Sequence, residues 1–153
     1  MTFPISNPVS FPLGTGNLTV ASITLGTTPG GTAAGQVIDI DPGFVVSGKV
    51  SVPEWLPGGG TAKGNVCLYA DELGGPIDKS IGCVEVDFTG PAVVHDPPGA
   101  LTVDWNIVVT PTSGLPDPQQ DFSQLYHLAV VFTYGPQTTD IAAFADLGMY
   151  MIN

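Results

Sequence analysis

The feature that most restricts the fold of this chain is a two-residue alternation of apolar and polar side chains. Across residues 100–110, ALTVDWNIVVT, the odd positions are apolar and the later even positions are polar except Val108. Successive side chains of a β-strand point to opposite faces, so this pattern predicts a strand with one buried face. The segments GFVVSGKVSV (43–52) and QLYHLAVVFTY (124–134) follow the same period. The second is apolar on its other face too, which predicts a central strand or one covered by a partner.

Clusters of Gly and Pro separate nearly all of the apolar runs. The chain has 20 Gly and 15 Pro among 153 residues, and they lie between the runs rather than in one tract. Further strands are predicted at about residues 17–25, 36–40, 64–70, 81–88 and 141–152, with a helical turn as the alternative at the start of the last. About seven or eight short strands with such turns are typical of an all-β, two-sheet antiparallel sandwich, either Ig-like or jelly-roll.

The inward positions of the predicted strands define a predicted core. A chain of 153 residues is long enough for one domain with a single core. Full burial stabilises an apolar side chain by about 1.5–3 kcal/mol, so the apolar face of each strand is expected to point inward. The core candidates are Val46, Val50, Val66, Val84, Leu101, Val103, Trp105, Ile107, Leu128 and Val130.

The N-terminal residues 1–16, MTFPISNPVSFPLGTG, predict an extended arm ahead of a single sandwich domain over residues 17–153. Three prolines interrupt this segment, and a proline cannot donate a hydrogen bond within a central strand. The arm is apolar and carries no charged side chain, so we expect it to be packed, either on its own subunit or on a neighbouring one. Its candidate contact residues are Phe3, Ile5 and Phe11.

The charge of the chain is strongly acidic, which restricts its partners. Fourteen Asp and Glu oppose three Lys, no Arg is present, and the net charge is −11. This balance disfavours nucleic acid, which proteins bind through Lys and Arg, and it disfavours an anionic membrane surface. A cationic partner, a neutral glycan or a divalent cation is compatible with the charge. The charge also has a simpler interpretation, which is that it keeps an apolar β protein soluble.

The sequence gives little information on location. The N-terminus has neither a basic region nor an unbroken apolar segment, so no signal peptide is predicted. No run of 18 apolar residues is present, so no membrane insertion is predicted. An extracellular or surface-exposed location is favoured by the cysteine pair described next, which would form a disulfide only in an oxidising compartment.

The only two cysteines, Cys67 and Cys83, lie in the two strands of a predicted hairpin. Pairing Val66 with Val84 makes the apolar faces of both strands coincide, and it places Cys67 opposite Cys83 on the other face. Directly opposed Cβ atoms lie about 4.5–5.5 Å apart, close to the roughly 3.5–4.5 Å that a disulfide needs. A zinc site would require two more ligands, and a redox motif would be CxxC. The sequence therefore predicts a cross-strand disulfide, or two free thiols in a reducing compartment.

Two other features are candidates for ligand binding. Asp71, Glu72 and Asp78 flank the Gly-rich turn of the hairpin, where carboxylates would suit calcium, although acidic loops are more often simply solvated. Trp55 lies in the loop PEWLPGGG and is the predicted contact surface for a glycan, with a lid over the edge of the core as the alternative. No other metal or cofactor is predicted.

The sequence contains no pattern of an enzyme active site. A GxSxG motif is absent, and GGGTAKG lacks the Ser or Thr that follows Lys in a phosphate-binding loop. The leading hypothesis is a non-catalytic β-sandwich that acts through protein–protein assembly with itself or other subunits, as a structural or surface subunit of a larger particle or filament. The alternative is a carbohydrate-binding module, calcium-dependent in one version, and a small hydrolase ranks third.

Overall fold

The computed structural model of the protein consists of two β-sheets packed face to face. It describes residues 11–13, 16–26, 37–55, 62–73, 78–95, 98–110, 112, 124–134 and 141–152. The strands within these residues are β1 (Phe11–Leu13), β2 (Gly16–Gly26), β3 (Val37–Ile38), β4 (Phe44–Pro53), β5 (Lys63–Glu72), β6 (Asp78–Asp87), β7 (Ala100–Val109), β8 (Gln124–Tyr134) and β9 (Ile141–Ile152). Among the residues described, no helix has the length and apolar character needed to cross a membrane.

Each sheet combines strands that are distant in the chain. One sheet has the order β1-β2-β4-β7, in which the short β1 extends three longer strands, and the other has the order β3-β9-β8-β5-β6. Neighbouring strands are antiparallel except β3 and β9, which run parallel with Val37 opposite Met151. The predicted all-β, two-sheet sandwich is confirmed, with one short parallel pair at an edge.

The strand order distinguishes between the two predicted sandwich types. If β2, β4, β5, β6, β7, β8 and β9 are labelled A, B, C, C′, E, F and G, the sheets read A-B-E and G-F-C-C′. Immunoglobulin-type sandwiches divide their strands in this way, with strands A, B and E in one sheet and C, F and G in the other. The fold is therefore Ig-like in its strand order.

The core lies between the two sheets and follows the alternation of the sequence. Nine of the ten predicted core residues are buried, and Val84 is partly buried and packs against the core from the edge strand β6. The largest fully buried side chains include Tyr126, Tyr150, Phe44 and Phe132. These aromatic side chains point inward, as the predicted aliphatic core residues do, and fill the space between the sheets.

Strand β8 is central in the five-stranded sheet, between β9 and β5, as its two apolar faces predict. Its inward residues Leu128 and Val130 are fully buried, whereas its outward residues Leu125 and Val131 are only half-buried. Strand β9 is extended from Ile141 onward, so the helical alternative for this segment is wrong.

The predicted N-terminal arm is described only in part. Residues 11–13 form β1, which pairs with β2 at the edge of the four-stranded sheet and places Phe11 opposite Leu18. Residues 1–10, including Phe3 and Ile5, lie outside the described residues. The one described proline of the arm, Pro12, lies on an edge strand, where a missing N–H group is tolerated.

The edge strands β6 and β7 approach each other closely at one glycine. A Cβ atom at Gly82 would lie 2.5 Å from Cγ2 of Ile107, which is buried in the core. No ordinary carbon–carbon contact is that short, so a side chain at residue 82 would force the two sheets apart at this edge.

Replacement of Trp105 by Ala should destabilise the protein. Trp105 is buried in β7, and truncation of a buried Trp costs about 3–5 kcal/mol. Its indole Nε1 is buried with no hydrogen-bond partner among the described residues, so the loss should lie near the lower end, about 3 kcal/mol. Denaturant unfolding followed by circular dichroism measures this loss. Val108→Ala, an exposed site in the same strand, is the control and should change stability by less than about 0.5 kcal/mol. Equal effects of the two changes would contradict the face assignment.

Candidate functional site

The outer face of the five-stranded sheet, which points away from the core, carries most of the exposed apolar surface. Eight large apolar side chains are exposed among the described residues, and five of them lie on this face. These five are Val37, Tyr69, Leu73, Phe144 and Met151, with exposed fractions from 39% to 68%. The other three, Trp55, Val94 and Val108, lie elsewhere.

Strand pairing places four of these side chains, all but Tyr69, in two apolar rows that cross the sheet. In the first row, Val131 of β8 lies between Cys67 of β5 and Phe144 of β9. In the second row, Leu125 of β8 lies beside Met151 of β9, which is next to Val37 of β3. Leu73 extends this second row, because its backbone N–H donates to the Leu125 carbonyl over 2.9 Å.

The dimensions of the outer face follow from strand geometry. Leu125 and Val131 are about 20 Å apart along β8, and four to five strands span about 15–20 Å across the sheet. The part of the outer face that includes both rows therefore covers roughly 300–400 Å², and the apolar rows occupy only part of this area. A standard interface buries about 800 Å² on each partner, so these rows would form the apolar centre of such an interface.

A polar pair lies between the two rows. His127 Nε2 and Asp146 Oδ1 are 2.5 Å apart, and the same oxygen accepts the backbone N–H of Gly148 over 2.8 Å. A bulge in β9 shifts the register between Leu128 and Ala129 of β8, and Gly148 has a φ of +89° there. His127 and Asp146 thus hydrogen-bond to each other within an apolar surface. This bond reduces the desolvation penalty that would arise if a partner covered the two side chains.

The pKa of Asp146 lies below its ordinary value of 3.8. Partial burial acts to raise this pKa, because it disfavours the charged carboxylate. The Gly148 N–H, the hydrogen bond with His127 and the charge of His127 act in the opposite direction and together outweigh burial. Asp146 is therefore held in its ionised form beside His127.

The cysteine pair has the predicted register. Val66 lies opposite Val84 and Cys67 opposite Cys83, and the two cysteines form a disulfide with Cα atoms 4.1 Å apart. Cys67 is half-buried and Cys83 is exposed on the outer face, so the disulfide continues the first apolar row to the edge of the sheet. The sequence did not predict the bulge beyond the disulfide, where Leu68 pairs with Gly82 but Tyr69 pairs with Ser80.

Two of the three acidic residues of the hairpin, Asp71 and Asp78, lie opposite each other in the sheet. Asp71 is exposed and lies opposite both Asp78 and His127 in the sheet, whereas Glu72 is buried and points to the opposite side. No group of three His, Cys, Asp or Glu residues within the described ranges is placed to hold a metal ion. Residues 74–77 of the turn lie outside the described residues, so the calcium site stays a prediction.

Trp55 directly follows β4 and is 52% exposed. Beside it in the chain, Glu54 Oε1 and His95 Nδ1 are 3.0 Å apart. In the chain, Trp55 lies eight residues before β5 begins, whereas Asp71 is next to the last residue of β5. The glycan site at Trp55 and its calcium-dependent version stay predictions. Phe11 belongs to the other sheet, so it does not contribute to the outer face.

No protein-family model matches the chain, and comparison with curated proteins finds no relative. Within the described residues, most of the exposed large apolar side chains that do not pack in the core lie on the outer face of the five-stranded sheet.

Reduction of the disulfide should lower the melting temperature without unfolding the sandwich. Closing a loop of this length stabilises a protein by about 3 kcal/mol in the chain-entropy model, or roughly 6–12 °C for a domain of this size. Thermal melts with and without reductant measure the change. The double variant Cys67→Ser/Cys83→Ser should match the reduced protein and should not respond to reductant. A melting temperature unaffected by reduction would show that the disulfide does not stabilise the fold.

The Asp146 carboxylate should make stability depend on acid pH. Because its folded pKa is below the ordinary value of 3.8, its contribution is present above about pH 4 and is lost as pH falls through the folded pKa. Melting temperatures between about pH 5 and pH 2.5 measure this slope, and Asp146→Asn should flatten it. Asp104→Asn, at an exposed site, is the control and should retain the wild-type slope. Equal slopes in all three proteins would contradict a role for Asp146.

Proposed function

We propose that this protein is a non-catalytic β-sandwich that acts through protein–protein assembly, as a structural or surface subunit of a larger particle or filament. The outer face of the five-stranded sheet is the proposed contact surface. One observation carries the proposal, which is that five of the eight exposed large apolar side chains of the described residues lie on this one face. Apolar surface grouped in this way favours a contact with another macromolecule.

The energy of such a contact would be moderate. Covering roughly 300 Å² on each of two partners would contribute at most about 15 kcal/mol before costs, at about 25 cal/mol per Å² of apolar surface, because part of the covered area is polar. The loss of translational and rotational freedom opposes association by about 4–15 kcal/mol. A single contact of this kind is therefore weak to intermediate, and a stable particle would need several contacts per subunit or a polar rim around the apolar centre.

Charge determines how assembly should depend on salt. Every copy has a net charge of −11, and Asp71 and Glu85 are exposed on the proposed contact surface. Two copies therefore repel each other at low ionic strength, and salt should strengthen their association because it shortens the screening length to about 8 Å at 0.15 M. A basic partner subunit would show the opposite dependence. Light scattering at increasing salt thus distinguishes self-assembly from assembly with a basic subunit.

Removal of apolar side chains from the outer face should weaken assembly without unfolding the protein. Phe144→Ser combined with Met151→Ser leaves the charge unchanged and is expected to reduce association by about 30- to 700-fold, since each of the two lost apolar contacts contributes about 1–2 kcal/mol. Concentration-dependent light scattering measures association, and circular dichroism verifies the fold.

The matched control is Val108→Ser, because Val108 is 60% exposed on the outer face of the other sheet. This control should assemble as the wild type does. A wild-type protein that stays monomeric at all salt concentrations, without and with a basic partner, would overturn the assembly proposal. Unchanged association of the double variant would instead remove the outer face from it.

A further inference from the structure

The outer face of the five-stranded sheet is acidic as well as apolar. Among the residues whose side chains the structure describes, four carboxylates and one lysine lie at outward positions of its strands. They are Asp71, Glu85, Asp87, Asp146 and Lys63. Lys63 is already in an ion pair with Glu85, with Nζ and Oε1 3.1 Å apart. A partner that covers this face therefore meets an excess of negative charge.

Two of these carboxylates lie between the two apolar rows. Asp71 of β5 lies opposite His127 of β8, and Asp146 of β9 lies opposite Ala129 of β8. His127 and Ala129 occupy the outward positions of β8 between the first apolar row and the second. A partner in contact with both apolar rows therefore also covers Asp71 and Asp146.

The protein compensates the charge of these two carboxylates to different extents. Asp146 accepts the Gly148 N–H and is hydrogen-bonded to Nε2 of His127. This nitrogen is thus directed at Asp146 rather than at Asp71, which is exposed on the neighbouring strand. A charge that is covered without a counter-charge opposes association strongly, because it loses its hydration. Asp71 therefore requires a cation from the partner.

A second copy of this chain is poorly suited to supply that cation. The two lysines whose side chains the structure describes, Lys49 and Lys63, already pair with Asp104 and Glu85 over 2.7 and 3.1 Å. The whole chain has fourteen acidic residues against three lysines and no arginine. Two copies placed face to face through this surface would bring carboxylates against carboxylates, and such like charges oppose association.

We propose that the outer face binds a basic partner protein, whose own surface combines apolar side chains with Lys or Arg. The apolar side chains of the partner cover the two apolar rows, and a Lys or Arg between them forms an ion pair with Asp71. Opposite charges also accelerate the encounter of a basic protein with a chain of net charge −11. The inference rests on the proposed function, since it names the partner of the same contact surface.

Binding of a designed peptide tests the inference. Strand residues with the spacing of Leu125 and Val131 are about 20 Å apart. The extended peptide Val-Ser-Lys-Ser-Lys-Ser-Val has this spacing between its two Val, so it can place one Val on each apolar row and both Lys between them. Fluorescence anisotropy of the labelled peptide should show binding at low salt that weakens as salt is added. The same peptide with Glu in place of Lys should not bind.

Two variants of the protein locate the binding. Asp71→Asn should weaken binding of the Lys peptide by about fivefold to tenfold, because it removes the carboxylate that pairs with the cation. Asp104→Asn removes the same charge from the other sheet, at an exposed site, and should change binding by less than about twofold. Equal effects of the two variants, or equal binding of the Lys and Glu peptides, would overturn the inference.

Light scattering on the same samples separates this inference from the proposed function. If the Lys peptide does not bind but the protein associates with itself, assembly stands, and a second copy rather than a basic protein is the partner. If the Lys peptide does not bind and the protein stays monomeric at all salt concentrations, the inference and the assembly proposal are both overturned.

Discussion

The register of β5 against its two neighbours is the constraint on which the rest of this structure depends. Side chains alternate between faces with a period of two, so a shift of one residue would turn Val66 and Leu68 outward and Cys67 inward. In the observed register, these two apolar residues are fully buried, and Cys67 lies beside Cys83 on one side and Val131 on the other. The register of β5 therefore determines which residues form the core, the disulfide and the first apolar row.

The disulfide stabilises a different part of the molecule from the core. In antibody domains, whose sheets have a similar strand order, a disulfide joins the two sheets across the core. Here Cys67 and Cys83 join neighbouring strands of one sheet, on its outer face. The contact between the sheets consequently depends on apolar packing, and the disulfide secures the edge strand β6, which carries part of the proposed contact surface.

Local periodicity predicted the strands and the core, because each strand must bury one face whatever its neighbours are. The cysteine register was predictable for the same reason, since both strands belong to one hairpin. The order of the strands, which distinguishes an Ig-like sandwich from a jelly-roll, was not predictable, because it depends on contacts between distant segments. Val84 shows the limit of predicting burial from alternation alone, because its strand β6 lies at the edge of the sheet and the side chain is only partly buried.

The candidate site was predictable only where it depends on a single strand. The two apolar faces of residues 124–134 indicated an outward apolar surface, and the structure has this surface at Leu125 and Val131. The grouping of Val37 with Met151 requires the pairing of β3 with β9, which a two-residue strand does not reveal. The His127–Asp146 pair depends on a bulge in β9, which the alternation of the sequence does not reveal.

The contact between Gly82 and Ile107 has an evolutionary consequence. These residues belong to different sheets, and the space for a Cβ at residue 82 is already occupied by a methyl group of Ile107. A substitution at residue 82 alone should therefore be selected against, and so should a larger side chain at residue 107. In diverging lineages of this fold the two positions should covary, with a side chain at residue 82 tolerated where residue 107 has become smaller.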